Sequence, residues 1–571
     1  MINTILKQTK ILMQQFSVNF VNKYMKKFTL IFFISIALNS FSQVAENSYR
    51  LFLTDKNNST YSINNPERFL SQKAIDRRNK QSIDIINNDL PVSKFYLDSL
   101  EKFGLQILNS SKWLNTVVVH STNSELIDTI TNLGFIKSKQ KANSSLNSFS
   151  NKLCLENNSH SILSEKDDPL NYGYGTTQIS MLNGHVLHKN GYKGQNITIA
   201  VIDGGFYEVD NLPAFDSLWI NNQILGTKDF VDNDTEVFDA SNHGMKVLST
   251  MGGNIPGQLI GTAPKANYWL LRSEETSTEY SIEEDNWVAA AEFADSVGSD
   301  IITSSLGYSE FDDGSQNYSY SDMDGNSTFI TRAADIAASK GILVINSAGN
   351  SGNDPWKYIT APSDGDSVLT VGAVDSYATY ANFSGLGPTS DGRIKPNIAA
   401  MGVQSSVQGT DGSVTEASGT SFSTPIIAGM AACLWQYYPE LNNMEIIKKI
   451  EESAHQYSTP DYYLGYGIPD FAKAANISST NIVSYSESVI IKVYPTPFSN
   501  YISIELFQKS EQNINIDLYN IVGHKIKNLN KTSSNFGIIN LNDLANLPSG
   551  IYLLKIQIGS QVINKRISKI K

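Results

Sequence analysis

Ile197-Thr-Ile-Ala-Val-Ile-Asp203-Gly-Gly205 is a run of six residues of buried-strand character that ends in an acid and then two glycines. A strand apolar on both faces belongs inside a parallel sheet covered by helices on either side. The glycines let the chain turn sharply. Functional groups of such sheets gather at the carboxyl ends of the strands, and Asp203 stands at one. A lone Asp there more commonly caps the next turn or helix. Outward from this stretch, residues 171–477 alternate apolar β runs with helical segments, the pattern of an α/β domain.

The flanks read differently. Residues 49–54 suit a strand, 66–80 a charged helix, 92–103 a helix, 112–120 a strand with a triple-valine run, and 124–133 a helix capped by Ser121 or Asn123. This β-α-α-β-α order over 43–140 suggests a small α+β domain. A stretch rich in Asn and Ser at 139–168 reads as a linker. After a second linker, short β runs at 501–505, 514–518 and 551–556 imply a small β-sandwich.

At the start, Lys26 and Lys27 precede an apolar run at 28–38 and the exit Ser40-Phe41-Ser42, the pattern of a secretory signal peptide. That run is too short to span a bilayer as a helix. Met25 stands where such a peptide begins, so 1–24 read as a start codon placed too far upstream. The expected division is 25–42 signal peptide, 43–168 small α+β domain with its linker, 169–478 α/β domain, 479–488 linker and 489–571 C-terminal β domain.

Composition narrows the function. The chain has 44 Lys and Arg against 56 Asp and Glu, a net charge of −12, which argues against nucleic acid as a partner. Two cysteines, Cys154 and Cys433, cannot build a disulfide scaffold or a four-cysteine zinc site. They are not expected to pair, because maturation would remove the segment that carries Cys154.

Two further passages carry chemistry. Asn242-His243-Gly-Met-Lys246 opens an apolar helix, so an imidazole stands where Asp203 could hold it as a base. Ser418-Gly-Thr-Ser421-Phe-Ser-Thr-Pro425 leads into residues apolar all round. Ser421 then lies at the amino end of a buried helix, among free N–H groups that favour developing negative charge. Pro425 is expected in that helix's first turn, where its missing N–H costs little. Each residue alone has a bland reading, as cap or surface group. Together, in the order Asp203, His243, Ser421, they form one of the chain orders of the serine-protease triad.

On these motifs the chain resembles the subtilisin-like serine proteases, the subtilases of peptidase family S8. Ser347-Ala-Gly-Asn350 matches the family's oxyanion motif, and Ser304-Ser305-Leu-Gly307 its substrate-pairing edge. The resemblance implies an α/β, three-layer subtilisin-like fold with a mainly parallel central sheet, preceded by a small α+β prodomain and followed by a small β-sandwich. It implies a secreted serine endopeptidase with Asp203, His243 and Ser421 catalytic and Asn350 in the oxyanion hole. Ser305, Leu306, Gly307, Ala348 and Gly349 would bind substrate. Partners would be protein or peptide substrates, with the propeptide as intramolecular inhibitor. The stretch from Phe69 to Arg78 resembles prosegments of cargo of the type IX secretion system. The motifs Val493-Tyr-Pro-Thr496-Pro and Leu547-Pro-Ser-Gly-Ile-Tyr552 resemble its C-terminal sorting domain, which implies export through the periplasm to the medium or cell surface.

The chain departs from the family at Gly204, Met245-Lys246 and Phe422-Ser423, none of which removes a reacting group. Lys246 would depress the pKa of His243. The reaction needs no cofactor. Structural calcium is common in the family, and Asp322, Asp324 and Asn326 alternate as its ligands would, although the distal Glu of an EF-hand is missing and a hydrophilic loop gives the same pattern. Asp354, Asp364 and Asp366 are candidates for acids beside the primary pocket. His185 and His188 read as a surface helix rather than a metal pair.

Overall fold

The computed structural model describes residues 47–142, 170–477, 490–494, 497–507, 512–533, 536–558 and 561–570. The expected signal peptide and upstream start, Cys154, Thr496, the linker at 479–488 and most of the linker at 139–168 lie outside the described residues. The chain divides into two compact units, Met1–Ile477 and Ser478–Lys571.

In the first unit seven parallel strands make one sheet, in the order Ile398–Met401, Val368–Val374, Leu343–Ser347, Ile301–Ser304, Thr198–Asp203, Asn267–Arg272, Ile224–Asp229. After Asn267–Arg272 the chain crosses to the other side of Thr198–Asp203, so the order reverses there, the place where such sheets open a crevice. Thr198–Asp203 is buried throughout. Ile199 and Val201 join the core under helices His243–Gly252, Thr420–Tyr437 and Asn443–Ser453, while Ala200 and Ile202 join the core under Ile282–Val297 and Phe329–Ser339. Period-two alternation thus feeds two cores from one strand, the reason an unbroken apolar run is needed. The fold is the three-layer one expected.

The helix that carries Ser421 runs from Thr420 to Tyr437 and is buried from Thr420 to Trp435. Pro425 is its sixth residue, not part of the first turn. Lacking an N–H, it cannot bond the carbonyl of Ser421 four residues back. That carbonyl accepts instead from Ser305 Oγ at 3.0 Å. The misplaced proline therefore has a use: it frees one acceptor that ties the helix to the expected substrate edge.

Ahead of this domain, an antiparallel sheet orders Gln106–Ser111, Thr116–His120, Ser48–Leu53 and Ile136–Lys141. Leu51, Leu53, Val117 and Val119 pack on Tyr96, Leu100, Ile127 and Ile130 of helices Lys94–Lys102 and Ser124–Ile130. Asn123 is the cap, accepting from Leu126 N. The expected helix at 66–80 is split, with Ser71 capping Gln72–Lys80 after a short turn at Pro66–Arg68. Two strands escaped the sequence reading. Gln106–Ser111 is mostly polar, and Ile136–Lys141 is exposed beyond Ile136, so neither shows a clear apolar alternation.

The second unit holds a three-stranded sheet (Ile490–Tyr494, Ile502–Phe507, Phe536–Leu541) and a four-stranded sheet (Lys525–Ser533, Gln512–Asn520, Gly550–Ile558, Gln561–Lys569). Both are antiparallel. Phe498, Ile502 and Ile504 share a core with Ile516, Leu518, Leu554 and Ile556, which makes the unit a β-sandwich.

Candidate active site

Asp203 ends its strand fully buried, and His243 is the first residue of its helix. His243 Nδ1 lies 2.8 Å from Asp203 Oδ1, which also accepts from Gly204 N at 2.8 Å. The approach depends on Gly244: a Cβ there would sit 2.5 Å from Gly205 O and 2.8 Å from Asp203 Cβ. The helix could not dock on the strand end with a larger residue.

Burial pushes the His243 imidazole down, but the Asp203 carboxylate, its hydrogen bond and Glu274 outweigh that and raise it above its ordinary 6.5. Lys246 is buried one turn on and does lower it, as its charge requires, but as the least of these influences. The expectation that Lys246 would set the direction is therefore corrected.

Ser421 is second in its helix and 6% exposed. The Phe422 ring beside it lies 6.0 Å from the His243 ring, so the two helices meet at this point. Ser421 Oγ makes no hydrogen bond to the imidazole here; such bonds often form only once substrate arrives. Asn350 follows the strand Leu343–Ser347, and its Oδ1 accepts from Thr420 N at 2.9 Å and Thr420 Oγ1 at 3.0 Å. With the oxygen anchored, Nδ2 is turned away from Thr420 and donates to no described residue.

The edge Ser305-Leu306-Gly307 follows Ile301–Ser304 directly. Leu306 O is taken by Asn346 Nδ2 at 2.9 Å, whereas Ser305 and Gly307 enter no backbone hydrogen bond among the described residues. Ala348 N donates to Val371 O, and Gly349 O accepts from Gly385 N, so this segment is held rigid on its outer side. The structure thus gathers Asp203, His243, Ser421, Asn350 and both edge segments at the carboxyl ends of adjoining strands.

Three residues in this region were not legible in sequence. Thr360 stands between the two edges: a Cβ on Gly307 would meet its Oγ1 at 2.1 Å and one on Gly349 at 3.0 Å. That hydroxyl is buried and unpartnered. Asn346 locks the edge through Leu306 O, Ser347 O and Ser363 Oγ. Glu274 accepts from Tyr308 Oη at 2.6 Å and is pushed up to about 8 by burial and by Glu279. No signal in the sequence marks Glu274; its place beside the site follows from Arg272, two residues earlier, the sheet partner of Asp203.

Other candidates have different roles. Asp364 is fully buried, accepting from Gly325 N and Thr331 Oγ1, and Asp366 pairs with Arg393; neither is a free pocket acid. Asp324 accepts from Asn326 N, Ser327 N and Ser327 Oγ, and Asp322 from Ser319 N and Oγ. Their oxygens close local turns, and among the described residues no three His, Cys, Asp or Glu side chains are placed to share a metal. His188 is not on the surface: buried, it bonds Tyr172 Oη and Thr262 O, and burial lowers it to about 4. Cys433 is a free, buried thiol.

Comparison with known proteins finds three family matches along the chain. The Subtilase family matches residues 194–467, the Bacteroidota peptidase S8 propeptide domain matches 48–180, and a secretion system C-terminal sorting domain matches 492–570. Subtilisin E of Bacillus subtilis (strain 168) is 30% identical over 303 residues, covering 52% of this chain and 70% of that protein. Serine protease AprX of the same organism is 30% identical over 297 residues, 47% of this chain and 63% of that one. The epidermin leader peptide processing serine protease of Staphylococcus aureus shares the fold, with TM-score 0.53 at 18% identity over 76% of this chain and 99% of that one. With its propeptide and sorting domains, the chain belongs to the subtilase family and is a subtilisin-like serine peptidase.

Proposed function

We propose that this chain is an exported serine endopeptidase in which Ser421 is the nucleophile, His243 the general base, Asp203 its orienting carboxylate and Asn350 an oxyanion donor. The observation that carries the reading is the 2.8 Å bond between the buried Asp203 and His243 Nδ1, facing an Asn350 whose amide is fixed by the residue next to Ser421.

In this mechanism Ser421 Oγ attacks a peptide carbonyl while His243 Nε2 accepts its proton. Asp203 holds the Nδ1–H tautomer and stabilises the imidazolium. The oxyanion takes hydrogen bonds from Asn350 Nδ2 and from the Ser421 N–H at the amino end of the helix. His243 then protonates the leaving amine, and water cleaves the acyl-enzyme by the reverse route. Substrate lies extended, pairing with the backbone of Ser305 and Gly307 on one side and the 348–349 segment on the other, a mode that reads shape rather than sequence. None of these steps draws on a metal or cofactor, and any structural calcium would act on stability alone.

The propeptide domain supports synthesis as a zymogen, and the sorting domain supports export by the type IX machinery to the medium or the cell surface. The test is casein hydrolysis by the matured protein beside Ser421→Ala. The variant is expected to lose activity; equal breakdown by both would remove Ser421 from the mechanism.

A further inference from the structure

The two expected substrate edges leave neighbouring strands. Ser304 and Asn346 are paired in the sheet; Ser305-Leu306-Gly307 follows the one strand and Ala348-Gly349 the other. Ser305 Oγ donates to Ser421 O, and Asn350 comes directly after Gly349, so the gap between the edges opens at the nucleophile. A third segment, 359–361, closes that gap on one face. Tyr308 N donates to Ala361 O at 2.8 Å and Ala361 N to Tyr308 O at 3.1 Å, which ties the segment to the first edge. Ile359 N donates to Leu386 O at 3.0 Å, and Gly385 N to Gly349 O at 2.9 Å, which ties it to the second.

Thr360 is the middle residue of that segment and is 5% exposed, with Ile359 and Ala361 fully buried beside it. A Cβ on Gly307 would lie 2.1 Å from Thr360 Oγ1 and 3.2 Å from its Cβ. One on Gly349 would lie 3.0 Å from Oγ1 and 3.4 Å from Cγ2. The Thr360 side chain therefore fills the space between the two edges at the level of their glycines. It is also held in place. Thr360 O accepts from Ser363 N at 2.8 Å, and the fully buried Ser363 and Asn346 bond in turn to Ser347 O and Leu306 O. Its hydroxyl has no partner among the described residues.

We propose that Thr360 is the floor of the primary side-chain pocket and makes that pocket short, so that the enzyme cleaves after glycine, alanine and serine and rejects aromatic and long aliphatic residues. The inference deepens the catalytic reading above and rests on it. An extended substrate turns successive side chains to opposite faces. The scissile residue, its carbonyl between Ser421 and Asn350, lies between the edges and turns its side chain toward 359–361. A packed site does not admit extra atoms without displacement, and one methylene too many lowers kcat/KM by about 10–200-fold. Nor do Asp364 and Asp366 offer a basic side chain a partner, since Gly325 N and Thr331 Oγ1 take the first and Arg393 the second.

The test compares four peptide anilides that differ only in the residue before the anilide: Ala, Ser, Leu or Phe. The enzymes are the matured protein and its Thr360→Gly and Thr360→Val variants. Active sites are counted by fluorophosphonate titration, so kcat/KM is read per working enzyme and any misfolded fraction drops out. The unaltered enzyme is expected to favour Ala and Ser over Leu and Phe by about tenfold or more in kcat/KM. Thr360→Gly, which empties the floor, is expected to raise kcat/KM for Leu and Phe by about tenfold or more and to change Ala little. Thr360→Val keeps the volume and is expected to keep the bar against Leu and Phe. A preference of the unaltered enzyme for Leu or Phe overturns the proposal. So does a Thr360→Gly variant that titrates fully and keeps the original ratio of Ala to Phe, or a Thr360→Val variant that loses the bar. Absence of titratable sites in the unaltered protein would overturn the catalytic reading, and this inference with it.

Discussion

Replacing Asp295 by Asn, in the Ser421→Ala full chain so that no self-cleavage intervenes, tests whether the docking of the two N-terminal domains rests on charge. The carboxylate is fully buried and takes hydrogen bonds from Arg77, Arg78 and Lys112. Asp89 also pairs with Arg78 at 3.0 Å and Lys340 at 3.1 Å, Glu292 acts on Lys112, and Asp300 acts on Arg77. The substitution removes the one carboxylate that bonds Arg77, Arg78 and Lys112 together. The amide keeps the shape and loses the charge, so the change isolates the electrostatic part. Stranding buried cations costs about 3–5 kcal/mol, roughly two to three and a half powers of ten in the unfolding constant. Urea unfolding followed by tryptophan fluorescence reads it, since Trp113 and Trp287 are buried in one core. The control is Asp128→Asn, which breaks a surface pair with Lys139 whose acid is 72% exposed and should leave the midpoint unmoved. If Asp295→Asn moves the midpoint no further than this control, the reasoning is refuted.

Because Asp203 and Glu274 raise His243 above its ordinary 6.5, the acid limb of kcat/KM should fall above that value, activity rising with pH as the imidazole loses its proton; a limb below it contradicts the electrostatics. Glu274 titrates near 8 when folded against 4.5 ordinarily, so its favourable contribution is present below pH 4.5 and is lost as pH rises through about 8. Glu274→Gln should flatten the loss of stability across that window in pH-dependent melting, and an unchanged slope counts against the assignment. Asn350→Ala should lower kcat by about 10²–10³ with KM little changed, a magnitude measured on a subtilisin itself and so a family value; a pure KM effect would place Asn350 in binding only. Thr360→Val removes a buried hydroxyl without a partner, so stability should hold or rise in thermal melting while cleavage of a peptide library shifts toward apolar side chains at the scissile residue. An unchanged profile would put Thr360 outside the pocket.

The parallel sheet was legible because residues 199–202 of the strand Thr198–Asp203 feed two cores and so are apolar on both faces, a pattern no solvent-facing strand imitates. The positions of Asp203, His243 and Ser421 at element ends were legible for a related reason, since turn glycines and an all-apolar helix mark those ends. The missed features share a physical cause. Ile136–Lys141 pairs through its backbone while exposing its side chains, and backbone pairing writes nothing into the sequence. Pro425 was read by a local rule for helix starts, and only the tertiary contact with Ser305 explains its place a turn later. Asp364 and His188 are polar residues buried, and Glu274 one half-buried, by neighbours far away in the chain, which no local pattern records. The ion pairs between Gln72–Lys80 and Ile282–Val297 join residues more than two hundred positions apart, for the same reason.

The central claim is that Asp203, His243 and Ser421 act as one nucleophilic unit. Its most direct test is labelling of the matured protein with a fluorophosphonate, followed by mass mapping of the adduct. The account predicts a single adduct on Ser421, lost in His243→Ala although the hydroxyl remains. An adduct on another residue, or undiminished labelling of Ser421 without His243, would contradict it.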